Sequence, residues 1–189
     1  MQNKYQQGTT EWLEMRKNFL GASDAPVVMN MSPWKKPIDL WREKLALISP
    51  RTTTGPMLYG KQEEANALEW FNNNNDYDNF EPCVKFHNKI PYMMASLDGW
   101  HHIIEHALEI KCPGKKDHEI ASKNEVPKKY IAQLQHQMEV CEIDWIWYLS
   151  YSSTSQYLFK VERDQKFIDE MLEKEAEFWY CVENFKEPV

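Results

Sequence analysis

Residues 107–111 read Ala-Leu-Glu-Ile-Lys, and in an extended strand Leu108 and Ile110 point to one face while Glu109 and Lys111 share the other. Eleven residues before Glu109, the run Ala95-Ser96-Leu97-Asp98-Gly99 ends in an acid followed by glycine. A strand closed by a tight turn at Gly99 brings Asp98 beside Glu109. Two carboxylates and an ammonium are the groups that phosphodiester hydrolysis uses: hard oxygen ligands hold Mg2+ or Mn2+, the cation acidifies a water and neutralises phosphate charge, and the lysine positions the nucleophile. The residue types alone leave a second reading open, because an ion pair on a solvent-facing strand is ordinary.

The elements that must hold these residues alternate between helix and strand. Trp12, Met15 and Phe19 recur at helical spacing over Glu11–Leu20, with Thr10 as a cap and Gly21 as a stop. Ser23 or Asp24 caps a short helix through Met29, and Pro37 opens a third, with Ile38, Trp41, Leu45 and Ile48 on one face and Pro50 ending it. After a turn-rich stretch at 51–56, a helix over 57–71 lines up Met57, Gly60, Ala67, Leu68 and Phe71, with Glu64 among them. A carboxylate on that stripe either stands near a cation or sits at the stripe's edge and reaches water, and its neighbour Glu63 is the better candidate for solvent.

Short apolar-rich runs at 80–87, 91–98, 100–104 and 107–111 predict an antiparallel meander. Helices over 117–123 and 127–141, strands over 145–151 and 157–162, and a helix over 164–185 follow. The expected fold is α/β (α+β), a central mixed β-sheet flanked by helices, in a single domain over 1–189.

Composition bounds the function classes. With 189 residues, 42% hydrophobic and 27% charged, the chain has ample material for one core. A net charge of −7 argues against a protein that coats nucleic acid by bulk electrostatics, but total charge says nothing of cations and carboxylates gathered at one site. Cys83, Cys112, Cys141 and Cys181 are too scattered for a disulfide framework and read as free thiols, and His101, His102, His106 and His118 near Cys112 lack zinc-ligand spacing. No apolar run exceeds a few residues and the first residues carry no secretory pattern, so the expectation is a cytoplasmic protein without a membrane partner.

Five segments in order, GTTEWLEMRKNFLGASDAPVVMNMSPWKKP at 8–37, MLYGKQEEANA at 57–67, MMASLDG at 93–99, LEIKCPG at 108–114 and VPKKYIAQLQHQM at 126–138, carry a resemblance that covers almost the whole chain. The chain resembles the YqaJ viral recombinase family, relatives of phage lambda exonuclease within the PD-(D/E)XK nuclease superfamily, with Leu97 where the superfamily has proline. The resemblance implies that Asp98 and Glu109, assisted by the Ile110 carbonyl, hold Mg2+ (or Mn2+), that Lys111 orients the attacking water, and that Glu64 is the helical acid beside the metal. It implies that Arg16, Ser23, Ser96 and Gln133 bind a 5′-phosphate. It further implies a 5′-to-3′ exonuclease on double-stranded DNA ends that leaves 3′ overhangs, works with a single-strand annealing protein, favours a homotrimer, and is phage or prophage encoded in a bacterial cytoplasm.

The residues keep plainer readings beside these. Ser23 reads equally as a helix cap and Arg16 as a partner of Glu11 or Glu14. In the helix over 127–141, Ile131, Leu134 and Met138 form the buried stripe while Gln133 and Gln137 stack one turn apart on another face, where they either look at the site or face solvent; Gln135 is read the same way. Trp12, Trp34 and Trp41 read as core, with Trp34 alternatively a wedge against DNA, and Lys115 and Lys116 as phosphate contacts or solvated surface. Two rival functions stand: an endonuclease or repair nuclease of the same superfamily, and a non-catalytic DNA-end-binding module.

Overall fold

The computed structural model describes residues 9–49, 55–76 and 79–188, and for 56–59 and 61 the backbone alone. Its elements are α1 (Thr10–Lys17), β1 (Leu20–Gly21), α2 (Ala25–Val28), α3 (Pro37–Lys44), α4 (Gly55–Asn73), β2 (Glu81–Phe86), β3 (Met93–His101), β4 (His106–Lys111), α5 (Lys115–Ala121), α6 (Lys128–Cys141), β5 (Trp145–Tyr151), β6 (Gln156–Glu162) and α7 (Gln165–Glu183). The sheet runs β1-β3-β4-β5-β6, with β2 also on β3. β1 is parallel to β3 and β4 to β5, and the other pairs are antiparallel, so the sheet is mixed as expected.

The alternation in 107–111 sorts the core. Leu108 and Ile110 pack with Ala67 and Phe71 of α4, whereas Ala107 packs with Ile146 and Tyr148 of β5 beneath Leu134 and Met138 of α6. Glu109 and Lys111 therefore project to the α6 side. Among the described residues no helix is long and apolar enough to cross a membrane.

Three expectations need correction. The first helix is capped by Thr9, whose hydroxyl accepts from the Trp12 N–H at 3.2 Å, and it stops at Lys17 because the Leu20 N–H bonds the Tyr92 carbonyl at 2.6 Å and draws the chain into β1. The third helix ends at Lys44, where Leu45 caps it and Ala46 takes a left-handed φ of 55°, so Ile48 lies beyond it. The runs at 91–98 and 100–104 contribute to one strand, β3, which continues through Gly99 to His101. A Cβ there would lie 3.1 Å from Cβ of Phe80 and 3.2 Å from Cβ of Leu108, so the glycine serves close packing and not a turn. The turn at 51–56 and the side chain of Met57 fall largely outside the described residues.

Over β3, the ring of His136 on α6 joins the sheet to α7. Its Nε2 meets the Met94 carbonyl at 3.0 Å and its Nδ1 meets Glu175 of α7 at 2.8 Å, with both side chains wholly buried. A carbonyl only accepts, so Nε2 donates. Burial disfavours the imidazolium, but Glu175 outweighs it and raises the histidine above its ordinary value.

Candidate active site

The ladder between β3 and β4 runs from His101↔His106 to Gly99↔Leu108 and goes no further. The register on the other side of β3 explains why. Between the pairs Glu81↔Trp100 and Cys83↔Leu97, β2 contributes Pro82 while β3 contributes Asp98 and Gly99, a β-bulge. The extra residue re-aims Asp98, and its Oδ2 accepts the Ile110 N–H at 2.8 Å. A side chain thus takes the place of a strand at the point where β3 and β4 part. The pair predicted from the sequence does meet, but through a bulge and the β3–β4 hairpin, not a turn at Gly99.

Glu109 is 1% exposed, and its carboxylate is held on both oxygens. Oε1 takes the Lys111 ammonium and the Gln133 amide N–H (2.6 Å), and Oε2 takes the Gln137 amide N–H. Burial, with the neighbouring charges of Glu109 and Glu64, holds the Asp98 carboxyl well above the usual range despite Lys111 and the Ile110 N–H. Burial would lower Lys111, yet Glu109 and Asp98 pull it above its ordinary value. Burial and the charge of Glu64 push the Cys112 thiol up to about 12, so it stays a neutral thiol. Glu64 is partly buried on α4 and acts on Asp98 through its charge; among the described residues no three His, Cys, Asp or Glu side chains converge as a ready-made metal cage.

The donor set nevertheless suits a hard cation. A buried carboxylate, Glu109, neighbours a half-buried one, Asp98, whose carboxyl is held above its usual range, and the amide oxygen of Gln137, on the side chain that grips Glu109, is buried without a hydrogen-bond partner. Mg2+ is commonly held by one or two carboxylates with substrate oxygens completing the shell, so a third protein carboxylate is not required.

The cleft in front of these groups has a volume of about 140 Å3 and is lined by Trp12, Arg16, Gly21, Ala22, Ser23, Met94, Ser96, Asp98, Glu109, Lys111 and Gln133. All four residues assigned by resemblance to a terminal phosphate, Arg16, Ser23, Ser96 and Gln133, therefore line the same cleft as the carboxylates. Nη2 of Arg16 donates to Ser23 Oγ at 2.7 Å and to Asp24 Oδ1 at 3.4 Å. Its expected partners Glu11 and Glu14 are not used: Glu14 instead pairs with Lys17 at 2.7 Å. Asp24, not Ser23, is the residue before α2, and it makes no side-chain capping bond. Its carboxylate faces backwards, accepting the Gly21 N–H at 3.1 Å and the Lys44 ammonium at 2.7 Å. Burial alone would raise Asp24; Lys44 and Arg16 outweigh it and hold the carboxyl well below the carboxylate range.

Sequence reasoning missed Asp24 and Lys44 and placed Trp12 in the core. Trp12 lines the cleft, its indole N–H donating to Ser96 Oγ at 3.1 Å and its ring centre lying 4.8 Å from the Arg16 guanidinium carbon. The four-residue spacing of Trp12 and Arg16 on one helix was the available signal for that contact. Of the glutamines, Gln137 reaches the acid, whereas Gln135 joins the Glu162 carbonyl and the Asp164 N–H where β6 meets α7. Ile131 is only partly buried, whereas Leu134, His136 and Met138 are fully buried. Outside the cleft Trp34 is 56% exposed under the Lys129 ammonium at 4.6 Å, while Lys115 and Lys116 are exposed, Lys115 with Glu119 at 3.8 Å.

A mixed sheet with helices on both faces, whose central strands part around Asp98 and carry Glu-x-Lys on the neighbouring strand, is the α/β (α+β) architecture expected from the sequence. The chain belongs to the YqaJ-like viral recombinase domain family, whose pattern residues 11–144 match. The uncharacterized protein YqaJ of Bacillus subtilis (strain 168) is 24% identical over 174 residues, covering 89% of this chain and 54% of that protein, so the chain spans about half the length of this curated relative. The fold is shared with the alkaline exonuclease LHK-Exo of Laribacter hongkongensis, at 23% identity, 93% coverage of each chain and a TM-score of 0.80, and equally with the same enzyme in complex with dAMP. A phage related exonuclease from Haemophilus somnus 129PT matches at 12% identity, 88% of this chain, 94% of that one, and a TM-score of 0.61.

Proposed function

We propose that this chain is a divalent-metal-dependent exonuclease that enters duplex DNA at a 5′ end and leaves a 3′ single-stranded overhang. One observation carries the reading: a single small cleft joins the Arg16–Ser23–Ser96 wall to the Asp98–Glu109–Lys111 wall. An anion pocket beside a hydrolytic site suits an enzyme that grips the terminal phosphate and cuts the next ester. The exonuclease names of the fold relatives and the family's recombinase description support the same activity.

In this reading Asp98, Glu109 and the Ile110 carbonyl hold Mg2+, with Mn2+ able to replace it, and the cation supplies acidification of water and neutralisation of phosphoryl charge. Lys111, held in place by Glu109, orients the attacking water. Glu64 adds negative charge behind Asp98. Arg16 receives the terminal phosphate through charge-assisted hydrogen bonds, with Ser23 and Ser96 adding neutral donors. Gln133 stands between the two walls and reaches either the phosphate or Glu109. Trp34, Lys115 and Lys116 meet the duplex outside the cleft. From the resemblance come a single nuclease domain, a homotrimer, a single-strand annealing partner and action in the cytoplasm of a bacterial host.

The test is digestion of linear duplexes carrying a 5′-phosphate or 5′-hydroxyl, beside a closed circle, in Mg2+ or EDTA. Stepwise Mg2+-dependent loss from phosphorylated 5′ ends with the circle spared is the expected result. Nicking of the circle identifies an endonuclease instead, and inertness towards every substrate overturns the catalytic reading.

A further inference from the structure

Behind the cleft, Lys44 uses all of its donors on one small region. Its ammonium bonds the Phe19 carbonyl at 2.6 Å, the Arg16 carbonyl at 3.0 Å and Asp24 Oδ2 at 2.7 Å, with a side chain only 5% exposed. The first two are carbonyls at and just beyond the C-terminal end of α1, where backbone acceptors lack helical partners. Lys44 therefore ties the end of the helix that carries Arg16 to the carboxylate that touches the Arg16 guanidinium. Asp24, also buried, closes the loop by receiving Arg16 on Oδ1, and Lys44 with the Gly21 N–H on Oδ2.

The charge count matters more than the contacts. A buried aspartate facing Arg16 alone would cancel the guanidinium and leave the pocket neutral. With Lys44 behind it the cluster sums to one positive charge, and Arg16 is the member that reaches the cleft, its side chain 26% exposed. Both Arg16 contacts to Ser23 and Asp24 use Nη2, so neither occupies Nε or Nη1. Gly21 lies directly beneath: a Cβ there would come within 3.3 Å of Arg16 Nη2.

We infer that Asp24 and Lys44 are positioning residues for the terminal-phosphate pocket, a buried counter-charge pair that fixes the Arg16 guanidinium while leaving its positive charge available to the DNA end. This rests on the phosphate-pocket assignment proposed above and extends it to residues that touch no substrate.

The experiment compares wild type, Asp24→Asn and the double variant Asp24→Asn/Lys44→Met on otherwise identical 5′-phosphorylated and 5′-hydroxyl duplexes in Mg2+, with thermal melts of each protein. The single variant strands a buried ammonium and is expected to lose stability. The double variant removes both charges together, preserves net charge with side chains of similar size, and is the informative one. In the folded double variant KM for the phosphorylated duplex should rise about tenfold, as expected for one charge-assisted hydrogen bond losing its geometry, while KM for the hydroxyl duplex moves much less and kcat changes less than KM. A folded double variant that keeps the wild-type preference for phosphorylated ends overturns the inference and leaves the pair a purely structural one. If wild type itself shows no such preference, the pocket assignment falls and the positioning role falls with it, so the two failures are told apart by the wild-type lane.

Discussion

Asp98 and Asp24 are the same residue type, Asp98 half-buried on the wall of the cleft and Asp24 buried behind it, and their environments push them in opposite directions. Burial raises both. At Asp98 the next neighbour is another carboxylate, Glu109, and the acid is held well above its usual range. At Asp24 the neighbours are Lys44 and Arg16, and the acid is held well below it. One wall thus has an excess of negative charge, suited to a divalent cation, and the other an excess of positive charge, suited to a phosphate. Burial sets the scale of both effects; the facing partner decides the sign.

The strongest way to break this contrast is to neutralise the negative wall. Glu109→Gln, and separately Lys111→Ala, should lower single-turnover cleavage of a phosphorylated duplex on the order of a thousandfold, the scale of losing a transition-state stabiliser, with DNA binding retained in gel shifts. Wild-type rates for Lys111→Ala would remove the lysine from the mechanism.

Next come the two matched isosteric changes, read as melting temperatures in EDTA at pH 7. Asp98 is raised in the folded state, so its stabilising contribution is complete below the unfolded value of 3.8 and is lost as pH rises through the higher folded value. Asp98→Asn should therefore stabilise the metal-free protein, by about 1 kcal/mol or roughly 3 °C. Asp24 is lowered, so its contribution is present above 3.8 and is lost only as pH falls through the lower folded value. Asp24→Asn should cost about 3 kcal/mol, roughly 10 °C. Shifts of the same sign would sink the idea that facing charge divides the walls.

A metal titration sharpens the negative side. Adding Mg2+ should raise the wild-type melting temperature by an amount that grows with the logarithm of its concentration, about 2.7 kcal/mol at a hundredfold excess over Kd, and should barely move Asp98→Asn. The smallest effect belongs to the positive wall: Gly21→Ala forces Arg16 Nη2 to shift by a few tenths of an ångström, and we expect about a threefold rise in KM for phosphorylated ends with kcat close to wild type.

The two walls also differ in how readily the sequence discloses them. Glu109 and Lys111 sit two apart on a strand whose apolar partners, Leu108 and Ile110, declare the alternation, so face and pairing follow from period two. Even there the bulge was invisible, because it is a mismatch between β2 and β3 that neither strand encodes alone, and Asp98-Gly99 reads locally as a turn. Arg16, Asp24 and Lys44 lie in three separate elements or their flanks with no shared period, and only the folded path of α1, β1 and α3 brings them together. Nothing in the spacing around Lys44, the last residue of α3, marks it as buried. Gln137 was equally indistinct, since a glutamine on a helix declares itself only through what packs against it.

The strand order has a consequence for where this unit can be cut. The stretch that matches the family ends at residue 144, but β5 begins at Trp145 and pairs along the whole of Leu108–Lys111, with Glu109 opposite Tyr148 and Lys111 opposite Ser150. A fragment ending at 144 would turn the strand bearing both charged groups into a raw sheet edge, with its amide and carbonyl row open to pairing with other chains. It would also take Glu175 from His136. The boundary of sequence likeness and the boundary of cooperative folding are therefore different places in this protein, and the second lies within or beyond α7.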